Sequence, residues 1–154
     1  MIIDRTAQDW ENAKIIRNTR VKTFDFLENP LTQAEIDTLE RGAITKNTLN
    51  RIENKQAELK ELLNNAGYWN TPITNKTWTG NDWQYAEEWQ RVLNNLDVLK
   101  QAYFTYADTP ATPDTRLDYI NLNAVEKILE DLQHMINIMK SFYRECGTFQ
   151  CGEE

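Results

Sequence analysis

The sequence predicts an all-α domain: three long antiparallel helices in a bundle, with one or two shorter helices before them. Leu49, Ile52, Leu59, Leu62 and Leu63 fall three, four or seven residues apart, which places them on one stripe of a helix. Trp89, Val92, Leu96, Leu99 and Tyr103 form a second such stripe, and Leu122, Val125, Leu129, Leu132 and Ile136 a third. The positions between are mostly Glu, Lys, Arg, Asn and Gln, and no stretch carries a set of strands. At 154 residues the chain is long enough to bury a core within one domain.

Each element has its own signals. Arg5 to Arg20 reads as a first helix with a short apolar face of Ala7, Trp10, Ala13, Ile15 and Ile16, capped by Asp4 or Thr6. Val21 to Asn29 reads as extended, and Pro30 ends any helix before it. Thr32-Gln33-Ala34-Glu35 has capping-box spacing and opens a short helix that Gly42 closes in a left-handed C-cap. Thr45 or Asn47 caps the first long helix, and Gly67 ends it. The Thr- and Asn-rich connection from Tyr68 to Gly80 comes next, and Thr79 to Asp82 repeats the capping spacing before the second long helix. Pro110 and Pro113 mark the next loop, and Asp118 caps the third long helix. The three spans are Thr45–Ala66, Asn81–Tyr106 and Asp118–Tyr143. The chain therefore divides into residues 1–44, a helical segment packed on the bundle; 45–145, the three-helix bundle; and 146–154, an irregular tail of the same single domain.

Leu49-Asn50-Arg51-Ile52-Glu53 matches Leu122-Asn123-Ala124-Val125-Glu126 closely, and Trp89-Gln90-Arg91-Val92-Leu93 matches more loosely. Either the chain holds an old repeat, or three helices meet a shared core in the same way; the second reading needs no common ancestry. Gln56 breaks its stripe where the other helices carry Leu96 and Leu129. Asn50 with Glu53, and Asn123 with Glu126, read as a polar seam that fixes helix register.

Composition narrows the function classes. Charged residues make up 27% and the formal net charge is -7, with a mean hydropathy of -0.69. That balance, with no basic run, argues against nucleic acid, whose binding rests on clustered Lys and Arg. Lys14, Arg17, Arg20 and Lys22 lie among Asp4, Asp9 and Glu11 and read as a solvated face. The first residues lack the basic-then-apolar pattern of a signal peptide, and no apolar run is long enough to span a bilayer.

Chemistry-bearing arrangements are sparse. Asp131 and His134 have the i, i+3 spacing of a di-iron ligand pair, but such a site needs that element twice and His134 is the only histidine. Cys146 and Cys151 offer two thiolates where structural zinc takes four ligands; two ordinary thiols, a small disulfide loop and a shared metal site are the alternatives. The paired carboxylates Glu87-Glu88, Glu130-Asp131 and Glu153-Glu154 are adjacent, so they point apart on a helix. The chain reads as a non-enzyme with no cofactor, no metal and no small-molecule substrate. Its distinctive feature is aromatic content. Trp83 and Tyr85 come just after the second cap, while Tyr68, Trp69 and Trp78 in the connection, with Phe149 in the tail, are the candidate partner contacts. On that reading the loop rings either pack onto the core, bind another protein, or recognise a carbohydrate on a host surface. A helix-binding adaptor is a third class.

The chain resembles a group of tail-associated structural proteins of phages and prophages of Gram-positive bacteria. The elements that carry the resemblance are Asp4-Arg5-Thr6, Thr48-Leu49-Asn50-Arg51-Ile52-Glu53, Trp78-Thr79-Gly80-Asn81-Asp82, Asn123-Ala124-Val125-Glu126-Lys127-Ile128-Leu129, and Gly147 to Glu153. They span nearly the whole chain in order, and the two C-terminal cysteines depart from the pattern. The resemblance implies a non-enzymatic component of a phage tail, baseplate or tail-like particle. It would be made in the host cytoplasm, reside in the virion and contact other tail proteins or copies of itself. It transfers no catalytic residue.

Overall fold

Thr6 and Asp9 start the first helix by satisfying each other's neighbouring amides. The Asp9 N–H donates to the Thr6 hydroxyl at 3.2 Å, and the Thr6 N–H donates back to the Asp9 carboxylate at 2.8 Å. Asp4 is not the cap. The computed structural model describes residues 2–23, 30–68, 72–79 and 86–146. Its helices are α1 (Ala7–Thr23), α2 (Gln33–Gly42), α3 (Lys46–Asn65), α4 (Ala86–Ala102) and α5 (Tyr119–Cys146), and no strand occurs among the described residues.

Several ends obey their sequence signals. Thr32 and Glu35 form the complete capping box of α2. Arg20, beside Glu35, and then the Thr32 N–H stabilise the charged carboxylate and lower its pKa from 4.5 to about 2. Thr45 caps α3, accepting from the Thr48 N–H. Gly67 ends α3 with φ at 90°, while the Tyr68 N–H reaches back to the Leu63 carbonyl at 3.0 Å and the Gly67 N–H to that of Asn64. Asp118 caps α5 by accepting from the Asn121 N–H at 2.8 Å.

Other ends differ. Val21–Thr23 continue α1 rather than forming an extended segment, and residues 24–29 lie outside the described set. α4 stops at Ala102, short of Tyr106, and α5 continues to Cys146, past Tyr143. Gly42 takes no left-handed turn: it is the last residue of α2, and the extended Ala43 comes next. Its purpose is a close approach. A Cβ at Gly42 would sit 1.8 Å from the Asp9 carbonyl oxygen and 2.9 Å from the Ala13 Cβ, so α1 crosses α2 backbone to backbone there. Ala13 is buried in that crossing, while Ile15, expected on the apolar face, is 59% exposed.

The three stripes meet as the periodicity requires. Ile52, Leu59, Leu63, Val92, Leu96, Leu99, Leu122, Val125, Leu129, Leu132 and Ile136 are fully buried in one cluster. Leu62 and Tyr103 pack at its edge. The relative direction of the helices differs from expectation. Glu53 meets Arg91 and Gln56 meets Val92 and Asn95, while beyond the helix ends Tyr68 packs on Tyr103. Position numbers rise together, so α3 and α4 run parallel. Arg51 pairs with Glu126 and Lys55 with Gln133, so α3 and α5 run parallel as well.

The antiparallel reading is therefore corrected to three parallel long helices. The physical reason lies in the connections. Residues 66–85 and 103–118 are long enough to run back along a helix of about 30 Å, whereas an up-down-up bundle needs only tight turns. The described parts of both return segments lie on the bundle. Along 72–79, Asn75 meets Glu53 and Trp78 meets Asn50. Along 106–114, Tyr106 meets His134, Thr109 meets Asp131 and Asp114 meets Asn121. In each case the return strap descends as the helix ascends.

Gly42 gives the sharpest test of this packing. The atom that a new Cβ would strike is backbone and cannot rotate away. Gly42→Ala is expected to lower stability in urea unfolding by about 1–3 kcal/mol, as overpacking does, despite the higher helix propensity of alanine. A stabilised Gly42→Ala protein would contradict the close crossing.

Candidate functional site

Two buried carboxylates hold the extended segments to the helices. On α3, Glu53 is 1% exposed. Its oxygens accept from Trp78 Nε1 at 3.1 Å, from Asn75 Nδ2 and the Lys76 N–H at 3.2 Å each, and from both terminal nitrogens of Arg91 on α4. Glu53 in turn stabilises the charged form of Arg91 and raises its pKa. One turn earlier, Asn50 clamps the backbone of Trp78 in both directions. Its Nδ2 donates to the Trp78 carbonyl at 2.9 Å, and the Trp78 N–H donates to its Oδ1 at 2.7 Å. Asn95 grips Thr74 in the same two-way fashion from α4.

The same device recurs on α5. Asn123 donates to the Arg5 carbonyl at 2.9 Å and accepts from the Arg5 N–H at 3.2 Å. Glu126 is fully buried and accepts from the Ile2 N–H at 2.5 Å, from the Arg5 guanidinium at 2.9 and 3.3 Å, and from Arg51 of α3 at 2.7 and 3.1 Å. The expected polar seam is thus present in a different form. Asn50–Glu53 and Asn123–Glu126 do not pair with each other; each pair grips an extended strap and a neighbouring helix.

The two clamps are equivalent, and the sequence around them matches further. Arg5 and Trp78 occupy the same position, each held by an Asn through its backbone and by a Glu through its side chain. The residues on their C-terminal side also match: Arg5-Thr6, then Asp9-Trp10; Trp78-Thr79, then Asp82-Trp83; and Asp114-Thr115, then Asp118-Tyr119. Trp10 and Tyr119, equivalent in this alignment, lie against each other with centroids 6.5 Å apart. Arg51 and Arg91 are also equivalent, and each reaches the Glu of another long helix. The third link of such a ring would join Ala124 of α5 to Leu93 of α4, and both charged residues are absent there together. Residues 106–114 are held by other groups: Thr112 on Asp97, the Pro110 carbonyl on Lys100, and Thr109 on Asp131. These offset matches between straps were the signal in the sequence that helix periodicity alone did not use.

Gln56, which breaks the apolar stripe, is fully buried and satisfied. It donates to the Val92 carbonyl at 2.8 Å and accepts from Asn95 at 3.2 Å. Like the carboxylates it ties α3 to a neighbouring helix.

The candidate contact aromatics separate. Of the alternatives open for the loop rings, Trp78 takes packing onto the core rather than a partner contact: it is 4% exposed, with its ring nitrogen on Glu53 and Lys76 4.5 Å over its ring. Ile73 of the same strap is also buried. Tyr68 is half-buried, edge-on to Tyr103 at 5.2 Å. Trp69 and Phe149 lie outside the described residues, as do Trp83, Tyr85 and Cys151. The large apolar side chains that do stand in solvent include Phe104 at 77% and Phe142 at 62% exposed. His134 is exposed against Tyr106, and Asp131 is buried between Thr109 and Lys127 rather than turned toward it. No group of three or more His, Cys, Asp or Glu able to hold a metal occurs among the described residues, and none of their helices is long and apolar enough to cross a membrane. Comparisons with protein-family models, curated proteins and solved structures returned no match.

Removing one partner of a buried ion pair strands the other, at a cost of about 3–5 kcal/mol. Glu126→Gln and Glu53→Gln should each lose stability on that scale in urea titration. Glu88→Gln, whose pair with Arg91 is partly in water, should cost about 1 kcal/mol or less. Equal, small losses for all three would mean that the carboxylates are not the clamps described.

Proposed function

We propose that the chain is a non-enzymatic structural component of a phage tail, baseplate or tail-like particle, acting through protein–protein contacts and residing in the virion. One observation carries the reading. The sequence elements behind the resemblance to tail-associated proteins hold the clamp residues: Arg5, Asn50, Arg51, Glu53, Trp78, Asn123 and Glu126. A motif set spent on holding a scaffold together suits a part whose task is shape. Trp78 itself lends no support to a carbohydrate-binding role, since it is turned inward and its ring nitrogen is already occupied.

The test is mass spectrometry of particles purified from a host that carries the gene. The chain should co-purify at a fixed ratio to the other tail proteins and survive high-salt washing. Its consistent absence from intact, functional particles would overturn the proposal.

A further inference from the structure

A cavity of about 410 Å³ opens where the α1–α2 hairpin meets the start of α3 and the chain leading into α5. Two contacts fix its shape. Gly42 lets α1 and α2 cross backbone to backbone beside Ala13, and Trp10 of α1 lies against Tyr119 of α5. Both Gly42 and Trp10 line the cavity, so it is preformed. Its other apolar walls include Leu39, Ile44 and Leu117, each only half-buried, and apolar surface is left facing the space.

The charged lining is of one sign. Lys14 and Arg17 are the charged residues that line the cavity, in a chain whose formal net charge is -7. The grooves on α3 and α4 mix signs instead: Arg51 and Lys55 lie with Glu58, and Arg91 with Glu87. Arg20 of the same basic group on α1 is engaged by Glu35, whereas Arg17 pairs with no carboxylate among the described residues. Lys14 meets Glu11 at 3.3 Å with both side chains more than half in water, a pair weak enough to exchange. Trp10, Lys14 and Arg17 follow one another on one face of α1, with Arg17 about 10 Å beyond Trp10. The cavity therefore grades from aromatic to cationic. That gradient fits an elongated molecule with an apolar tail and an anionic head. The volume lies near the lower end of the roughly 300–1,000 Å³ of small-molecule sites, which suits a single alkyl chain rather than a peptide helix.

We infer that this cavity binds a medium-chain alkyl carboxylate, with its tail against Trp10, Leu39 and Leu117 and its carboxylate between Lys14 and Arg17. The site stands or falls separately from the virion reading. Its test titrates sodium decanoate, below micelle formation, into isotopically labelled full-length protein. Saturable 1:1 binding is expected, with backbone amide shifts concentrated at Gly42, Ala43 and Ile44. n-Decanol keeps the tail and lacks the charge, and should bind more weakly by about five-fold or more. Decanoate should lose affinity to the same degree, about five-fold, on protein carrying Lys14→Gln and Arg17→Gln, two exposed positions whose change leaves the fold intact. No saturable decanoate binding, shifts scattered away from the cavity, equal affinity for decanol, or undiminished affinity of the double variant would each overturn the site.

Discussion

Two carboxylates without water set the terms for this fold. A buried, ionised glutamate is tolerated only when its lone pairs are filled by donors and its charge is balanced. Glu53 and Glu126 meet that condition with donors from three sources each: the backbone of an extended strap, a side chain of that strap, and an arginine from another long helix. No single element can satisfy either one. The helices, the straps and their register are therefore tied to the same pair of groups, and a shift of one residue anywhere strands a charge. The apolar stripes supply most of the burial, but they would tolerate several arrangements of three helices. The carboxylates select one.

Parallel long helices result from that selection and explain the return segments. A connection that must travel the length of a helix has two options: to wander through solvent or to lie in a groove. Here the straps lie in grooves, and their backbone groups find side-chain partners in place of a sheet. Asn50, Asn95 and Asn123 each offer an amide that imitates a neighbouring strand, donating and accepting on one residue. This is also how an all-helical domain holds non-helical chain against its helices.

The readable part of the sequence was whatever is local. Apolar spacing located the three long helices and most of their buried apolar residues, and the capping residues Thr32, Thr45 and Asp118 and the terminating Gly67 stood where short-range rules place them. Direction was not legible, because an amphipathic stripe is the same read up or down. The place of Trp78 stayed open for a related reason. Its surroundings are polar and Thr-rich, and the partner that draws it inward, Glu53, stands 25 positions away. Gly42 lay at the end of a helix, where glycine usually supplies a turn, and only the crossing of α1 revealed the need for a missing side chain. The Asn-x-x-Glu repeat was visible, but its meaning depended on straps that have no periodicity.

Helix direction is the claim on which the clamps and the straps both depend, and one distance measures it. Asn47 near the start of α3 and Glu87 near the start of α4 are both exposed and accept spin labels as cysteines in a background lacking Cys146 and Cys151. Parallel neighbouring helices place the two labels at the same end of the bundle, within about 20 Å given an interaxial spacing of about 8–10 Å. A dipolar distance distribution centred there is the predicted result. A distribution centred near a full helix length, about 30 Å, would put α4 antiparallel to α3 and contradict the account.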